Sequence, residues 1–368
     1  DNSAIRRSDE VEIWNSKDKS IYPAKITTYN WKQRSALALW EPALGKYRQI
    51  ATDTLPHTII DADIRYAITS NPLAYDPQFN YYGPRDYYLT ELSSGNREKI
   101  LSKHSGNVTD LMFSPAGEFV LYSKKGHWWG YDIQKKLHSN LTGKMPLTDG
   151  MDIPQEDSDG YEYQAPGCTL GDKDILVYDK YDLCPINGGQ PVRLTRGRES
   201  NTVFRILPQS AFLPNRYSYD GIIGALFDLS RPLYLQAKNE ESQKTGYYTW
   251  TESSGITELV FDDKLITSFT LSGDGQSYTY MEQKYDIPPS LIAGRFSGDK
   301  KKVIVRSNPH HKNYQWGYSK LVRFRHGDRL LSGALFYPAG YDDKRKYPMI
   351  VHIYQKQSRE LHAYVNPS

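Results

Sequence analysis

The sequence predicts an all-β protein, a β-propeller whose blades have four strands and about fifty residues each. Short β-rich runs alternate with turn residues over roughly the first three hundred positions. One strand–turn–strand unit recurs at a nearly constant interval. Near the C-terminus, the strands change from short and tyrosine-rich to almost continuously apolar. The first two observations predict the propeller, and the third predicts that a second kind of domain begins after it.

The short strands are visible from the start of the chain. Val11–Trp14 alternates between apolar and polar residues, Asn15–Asp18 has the composition of a turn, and Ser35–Trp40 is β-rich again. Glu41–Lys46 contains Pro42 and Gly45 and predicts a further turn. The 27 Gly and 21 Pro residues predict many such turns, and no segment has the periodicity of an ordinary amphipathic helix.

The recurring unit is clearest in Leu111–Tyr122, where a tight turn at Gly117 joins two β-rich runs. Related copies are Thr169–Tyr178 and Phe269–Tyr280, and a weaker one is Ile59–Tyr66. A blade cannot bury both of its faces alone, so stacked repeats of this kind form a continuous core. A β-sandwich would also give short strands but not this repeat.

The interval between copies supports the propeller. Asp63, Gly117, Asp172 and Asp274 stand 54, 55 and 102 positions apart in turn, and the last interval is about two units of 51. The count therefore predicts a middle unit that turns near Tyr219-Asp220-Gly221.

Composition excludes several classes of protein. The net charge is +3, with acids and bases intermixed, and Lys300–Lys302 is interpreted as a solvated turn, so nucleic-acid binding is not expected. The longest apolar runs fall short of about eighteen residues, so we expect no membrane span. Two thiols without a close histidine do not predict a metal site, whereas a disulfide between Cys168 and Cys184 is left open. No cofactor is expected.

The C-terminal part contains two strand-like runs around a polar turn. Leu335–Tyr337 is the first and Met349–Tyr354 the second, with Pro, Gly, Asp and Lys between them. Because the second run is almost entirely apolar, it predicts a strand that is buried on both faces.

These motifs resemble the prolyl oligopeptidase family of serine peptidases, which includes the dipeptidyl peptidase IV and acylaminoacyl peptidase branches. The matching residues, in order, are Leu335–Pro338, Lys346-Tyr347-Pro348 and Ile350–Tyr354, together with the turn Phe113–Gly117 and the segment Tyr285–Pro289. The resemblance implies a propeller joined to an α/β-hydrolase domain. We accordingly expect a propeller over 1–306, a linker over 307–320 and the truncated first strands of the hydrolase domain over 321–368.

Two features depart from that family's pattern. A Gly-rich segment usually follows the tyrosine, but here Gln355–Ser358 follows Tyr354. The Gly-x-Ser-x-Gly motif that presents the nucleophile occurs nowhere in the 368 residues. We therefore expect the catalytic Ser, Asp and His to lie downstream of this chain, and the chain alone to be inactive.

Two sets of candidate site residues follow from the resemblance. Tyr354 matches the position of an oxyanion-stabilising tyrosine, whose hydroxyl would donate to the negative charge that develops during acyl transfer. Its alternative role is packing at the domain junction. Glu240 and Glu241 are candidates for binding the free amine of a peptide, as paired propeller glutamates do in dipeptidyl peptidases. Their alternative is a solvated turn between strands.

The sequence therefore predicts the propeller portion of a peptidase that hydrolyses peptides or oligopeptides, with the propeller limiting substrate access. A free-standing propeller that binds protein or glycan, and a propeller glycosidase, are the alternatives. The expected partners are a peptide substrate and the remainder of the hydrolase domain, and homodimer formation is left open. We expect a secreted or periplasmic location.

Overall fold

A computed structural model describes residues 15–19, 21, 35–144, 167–298, 300–353 and 357–366. In this part of the chain the structure is nearly all-β. One α-helical turn, α1, covers Gly197–Ser200. The remaining helical segments are short 3₁₀ turns at Pro42–Leu44, Val108–Asp110, Leu170–Asp172, Pro208–Ser210, Pro309–Asn313 and Gln357–His362. The prediction of an all-β chain is confirmed, and most strand pairs are antiparallel.

A two-stranded hairpin comes first and consists of β1 (Ala38–Glu41) and β2 (Lys46–Gln49). Its turn follows the sequence prediction, because Pro42 begins the 3₁₀ turn and Gly45 ends it in the left-handed region at φ 58°. Non-glycine residues adopt this backbone conformation less readily, which explains glycine at this position.

The first sheet is antiparallel and is built from one contiguous stretch. Its strands are β3 (His57–Ile60), β4 (Tyr66–Ser70), β5 (Arg85–Glu91) and β6 (Arg97–His104).

The second sheet repeats this pattern. Its consecutive strands are β7 (Leu111–Phe113), β8 (Phe119–Lys124), β9 (His127–Asp132) and β10 (Leu137–Asn140). The third sheet follows with β11 (Cys168–Thr169), β12 (Ile175–Tyr178) and β13 (Leu183–Ile186).

The fourth sheet is interrupted after its first strand, β14 (Thr202–Ile206). We call the excursion 207–232 the strap. It contains the short strands β15 (Arg216–Ser218), β16 (Gly221–Ile223) and β17 (Leu226–Phe227). The sheet then resumes with β18 (Leu233–Asn239), β19 (Thr245–Thr251) and β20 (Gly255–Asp262).

The fifth sheet is again contiguous and antiparallel. Its strands are β21 (Leu265–Leu271), β22 (Ser277–Lys284), β23 (Ile287–Arg295) and β24 (Lys302–Arg306). A separate two-stranded hairpin follows, made of β25 (Tyr318–His326) and β26 (Arg329–Tyr337).

The apolar cores lie between neighbouring sheets. In β7, Leu111 and Phe113 pack against the first sheet, whereas Met112 packs against the third. In β12, likewise, Val177 faces the second sheet and Leu176 the fourth. This alternation is the period of two that a strand imposes. Similar clusters join the third sheet to the fourth and the fourth to the fifth. Sheets stacked face to face in chain order are the arrangement found in β-propellers.

The sequence repeat predicted the turn between the first two strands of a sheet correctly at four positions and wrongly at one. Asp63, Gly117, Asp172 and Asp274 each lie between the first and second strands of a sheet. The predicted middle turn near Tyr219-Asp220-Gly221 exists, but it joins β15 to β16 inside the strap, not the first two strands of the fourth sheet. The strap lengthens this unit, so the interval of 102 positions did not locate the turn.

The open question of a disulfide is also answered. Cys168 and Cys184 are both free and buried. They lie on β11 and β13, which β12 separates. Two interstrand spacings amount to about 9–10 Å, beyond the reach of a disulfide. Burial raises the pKa of both thiols, that of Cys184 to about 12, so they behave as core residues.

The predicted buried strand at Met349–Tyr354 is wrong over its described residues. Residues 349–353 form no strand, and Ile350 and Ile353 are 96% and 87% exposed. A strand buried on both faces needs neighbours on both sides, and the described part of the chain supplies none. By contrast, the predicted strand at Leu335–Tyr337 forms the end of β26.

Candidate functional site

The two sequence-derived candidates fall in different parts of the chain. Tyr354 lies outside the described residues. Glu240 and Glu241 lie in the turn between β18 and β19, and the side chain of Asn239 stabilises this turn. The Asn239 side-chain oxygen accepts hydrogen bonds from the backbone N–H groups of Glu241 and Ser242, at 3.0 and 2.7 Å. Structure thus places the two carboxylates on a well-defined turn.

Each carboxylate has a cationic neighbour. Oε2 of Glu240 lies 2.9 Å from Nζ of Lys180 and accepts a hydrogen bond from the hydroxyl of Tyr181 at 3.4 Å. Oε1 of Glu241 accepts a hydrogen bond from the side-chain amide of Asn201 at 2.8 Å, and its Oε2 lies 3.8 Å from Nη2 of Arg323. The formal charges of these two acids and two bases cancel.

Arg323 also connects the C-terminal hairpin to this turn. It lies on β25 and donates from Nη2 to the backbone carbonyl of Glu241 at 3.0 Å. The turn of Glu240 and Glu241 therefore meets the part of the chain in which the hydrolase-like motifs begin. Because both glutamates are about half exposed, the cluster is screened by solvent.

A buried acidic pair holds the neighbouring turn that carries Lys180 and Tyr181. The carboxylate of Asp182 is fully buried and accepts hydrogen bonds from Thr195 Oγ1 at 2.6 Å, Gly197 N at 2.5 Å and Arg193 Nη1 at 3.0 Å. Asp179 pairs with Arg198 at 2.6 Å. Buried carboxylates are stable only when paired in this way.

Sequence reasoning missed this network. Its signal was present in the two aspartates at 179 and 182 that are followed by arginines at 193 and 198. The network was not recognised because the aspartates and the arginines are far apart in the sequence. They come together only when α1 packs beside the turn between β12 and β13. Hydrogen bonding to Glu199 and Asp182 raises the pKa of Arg193 further above its ordinary value.

The strap forms a second notable feature, beside the first strands of the sheets. β16 pairs in parallel with β7, the first strand of the second sheet, and β17 pairs in parallel with β11, the first strand of the third. At the strap's tip, Asp220 exchanges two hydrogen bonds with Thr58 of β3, at 3.0 and 2.9 Å. A single excursion thus bonds to the first strands of three successive sheets.

Comparison with solved structures supports the fold. Dipeptidyl peptidase 4 from Porphyromonas gingivalis matches 85% of this chain with a TM-score of 0.51 and 11% identity. A protein described as dipeptidyl aminopeptidase IV from Bacteroides ovatus matches 84% with a TM-score of 0.49 and 10% identity. The β-propeller domain of the Trilobed protease from Pyrococcus furiosus matches 83% with a TM-score of 0.33 and 9% identity.

The first of these matches has a TM-score above 0.5, and at this level of identity it shows a shared fold. This chain spans 52% of each dipeptidyl peptidase, about half of their length. No family model matches the sequence. No curated protein matches it either. The resemblance to the prolyl oligopeptidase family, which rests on motifs in the sequence, is thus supported at the level of the fold.

In the described residues, no helix has the length and apolar character that a membrane crossing requires.

Proposed function

We propose that this chain is the propeller portion of a serine peptidase of the prolyl oligopeptidase type, followed by the beginning of its hydrolase domain. Such an enzyme hydrolyses peptides by nucleophilic acyl transfer, and the propeller limits which substrates reach the catalytic centre. The observation that carries the proposal is the series of stacked antiparallel sheets, similar in fold to dipeptidyl peptidase 4, with Tyr-Pro motifs directly after it.

The exposed apolar side chains of the C-terminal segment support the proposal that another part of the protein packs against this segment. Met349, Ile350 and Ile353 are 73%, 96% and 87% exposed, and Leu330 on β26 is 59% exposed. Met349, Ile350 and Ile353 lie close together in the sequence, and exposed apolar side chains in one segment mark a surface that another part of a protein covers. The remainder of the hydrolase domain is the occupant that the motifs imply.

The substrate-binding role of Glu240 and Glu241 stays a prediction. Oε1 of Glu240 accepts no hydrogen bond within the described part of the chain, so an amine has one oxygen to approach. Lys180 and Arg323 oppose that approach, since they already neutralise the pair. The oxyanion role of Tyr354, the division of the chain into three segments, the homodimer and the secreted or periplasmic location are likewise proposals.

Turnover by the isolated chain tests the proposal. Because Gly-x-Ser-x-Gly is absent from the sequence, residues 1–368 should not release chromophore from dipeptide substrates above the uncatalysed rate. The control is an extended gene product that includes the downstream residues, which should cleave the same substrates. Turnover by the isolated chain that disappears when one of its own serines is replaced would refute the proposal.

A further inference from the structure

A cavity of about 160 Å³ lies between the strap and the third and fourth sheets. Its walls are mainly apolar and include Leu176, Leu183, Ile206, Ala225 and Phe227, all of them buried. Pro214 and Asn215, both exposed residues of the strap, line its mouth. The cavity is open at this mouth, and its volume is similar to that of an apolar cavity of about 150 Å³ that binds benzene, so it has room for a benzene-sized group.

One polar group of the lining residues, the hydroxyl of Tyr178, accepts a hydrogen bond but donates none to the described part of the chain. The hydroxyl of Tyr178 accepts a hydrogen bond from the backbone N–H of Ile206 at 3.0 Å, and the guanidinium of Arg205 lies 4.6 Å from the Tyr178 ring centre. In the part of the chain that the structure describes, no acceptor receives the hydrogen of this hydroxyl. A donor left unpaired away from water costs free energy, so a ligand carbonyl beside it would be stabilised.

The mouth of the cavity suits an extended chain. It belongs to the strap, which itself adds short strands beside the first strands of the second and third sheets. Asn215 offers both an amide donor and an amide acceptor at the rim, the groups that a peptide backbone requires. Arg216, the next residue, is also exposed.

We propose that this cavity binds one apolar residue of a peptide. The side chain, aromatic or branched, fills the space between Leu176, Ile206 and Phe227, and the backbone carbonyl of that residue accepts the hydrogen bond from Tyr178. This assignment rests on the proposed peptidase function for the nature of the ligand, but not for the existence of the site.

Two small probes separate the apolar and the polar parts of the site. Toluene has the ring alone, and acetophenone adds a carbonyl acceptor. Ligand-detected NMR on the isolated chain should show saturable binding of both. Ala225→Leu and Ala211→Leu place a larger side chain in the wall and so fill the cavity. Each should weaken the binding of both probes at least tenfold. Ala74→Leu, at an exposed alanine elsewhere, should leave both unchanged.

Tyr178→Phe tests the hydrogen bond. This variant should weaken the binding of acetophenone by roughly 2- to 10-fold, since one neutral hydrogen bond to the ligand is lost. The binding of toluene, which makes no such bond, should be unchanged. Equal weakening of both probes would show that the tyrosine only shapes the wall. No binding of either probe, or binding that survives both filling variants, would overturn the site.

Competition between toluene and short peptides tests whether the ligand is a peptide. N-acetyl-Gly-Phe-Gly-amide should displace toluene, and N-acetyl-Gly-Ala-Gly-amide should not. If neither peptide displaces bound toluene, the assignment to peptides is wrong even though the cavity binds ring compounds. Because no step of these measurements involves catalysis, their failure is distinguishable from failure of the proposed peptidase function.

Discussion

Two buried ionisable side chains, Asp182 and His362, govern how this chain responds to mutation and pH. Asp182 is shielded from water and accepts hydrogen bonds from four donors, one of them the guanidinium of Arg193. His362 is 4% exposed, and its Nε2 lies 3.2 Å from Oδ1 of Asp263 at the start of the fifth sheet. The first is fully satisfied by its donors, whereas the ring nitrogens of the second form no hydrogen bond with the described residues.

Replacing Asp182 should be among the most damaging single changes. Asp182→Ala leaves Arg193 without its buried partner and removes the acceptor for the N–H of Gly197, so we expect a loss of about 3–5 kcal/mol in the free energy of unfolding. Urea denaturation measures it. Glu199→Gln is the matched control, because Glu199 binds the same arginine at 2.5 Å but is 53% exposed, and it should change stability little. Equal effects of the two variants would contradict the structural role of Asp182.

His362 should make the attachment of the C-terminal segment pH-sensitive. Burial lowers the pKa of this ring below its ordinary value of about 6.5. The unfolded chain therefore binds the proton more readily, and the stability given by the neutral ring is lost as the pH falls from about 6.5 through the lower folded pKa. The charged groups around the ring are Asp263, Asp262, Lys284 and Lys238.

Hydrogen exchange of residues 357–366 measures this effect. Protection in the original chain should fall between pH 7.5 and 5.5 by more than it does in His362→Gln, which cannot titrate. His104 and His138 also have pKa values lowered by burial, but they are present in both chains and cancel in the comparison. An identical pH profile for the two chains would rule out the attachment through His362.

Among the elements, the strap departs most from a regular repeat. Its tip residue Asp220 accepts a hydrogen bond from the N–H of Thr58, which is 2% exposed, and so joins the fourth sheet's excursion to the first sheet. Ser218 adds two hydrogen bonds through its hydroxyl, with the N–H and the carbonyl of Ile60. Three successive sheets are thus connected through their first strands.

Asp220→Ala should loosen this connection. It orphans a buried N–H, at a cost of about 1–3 kcal/mol in the free energy of unfolding, while Asp220→Asn keeps an oxygen acceptor and should cost less. Trypsin should also cleave the loosened strap faster after the exposed Arg216. Unchanged stability and unchanged cleavage in Asp220→Ala would show that the strap does not depend on this contact.

The elements also show what the sequence could and could not predict. Turn chemistry at Pro42–Gly45 and around Gly117 is local, so it was readable from the residues alone. Apart from its local turn between β15 and β16, the strap was not readable, because β16 and β17 have only three and two residues and pair with partners more than fifty positions away. Residues 349–353 have the composition of a buried strand, but composition does not supply the neighbouring strands that such burial requires.

At the scale of the whole molecule, the series of stacked sheets was predictable because most strands of a sheet follow one another along the chain and alternate with a period of two. The candidate site was less predictable. Glu240 and Glu241 could be named from the sequence, but Lys180 and Arg323, which neutralise them, lie about sixty and eighty positions away in the chain. Such contacts depend on how sheets stack, which local sequence patterns do not encode.

Labelling of the natural gene product by an active-site-directed fluorophosphonate, read by intact mass, tests the central claim most directly. The account predicts a labelled species of roughly twice the mass of this chain, with the label on a serine in a Gly-x-Ser-x-Gly motif beyond residue 368, and no labelling of residues 1–368 alone. A natural product no larger than this chain that takes up no label, or a label on a serine within residues 1–368, would contradict it.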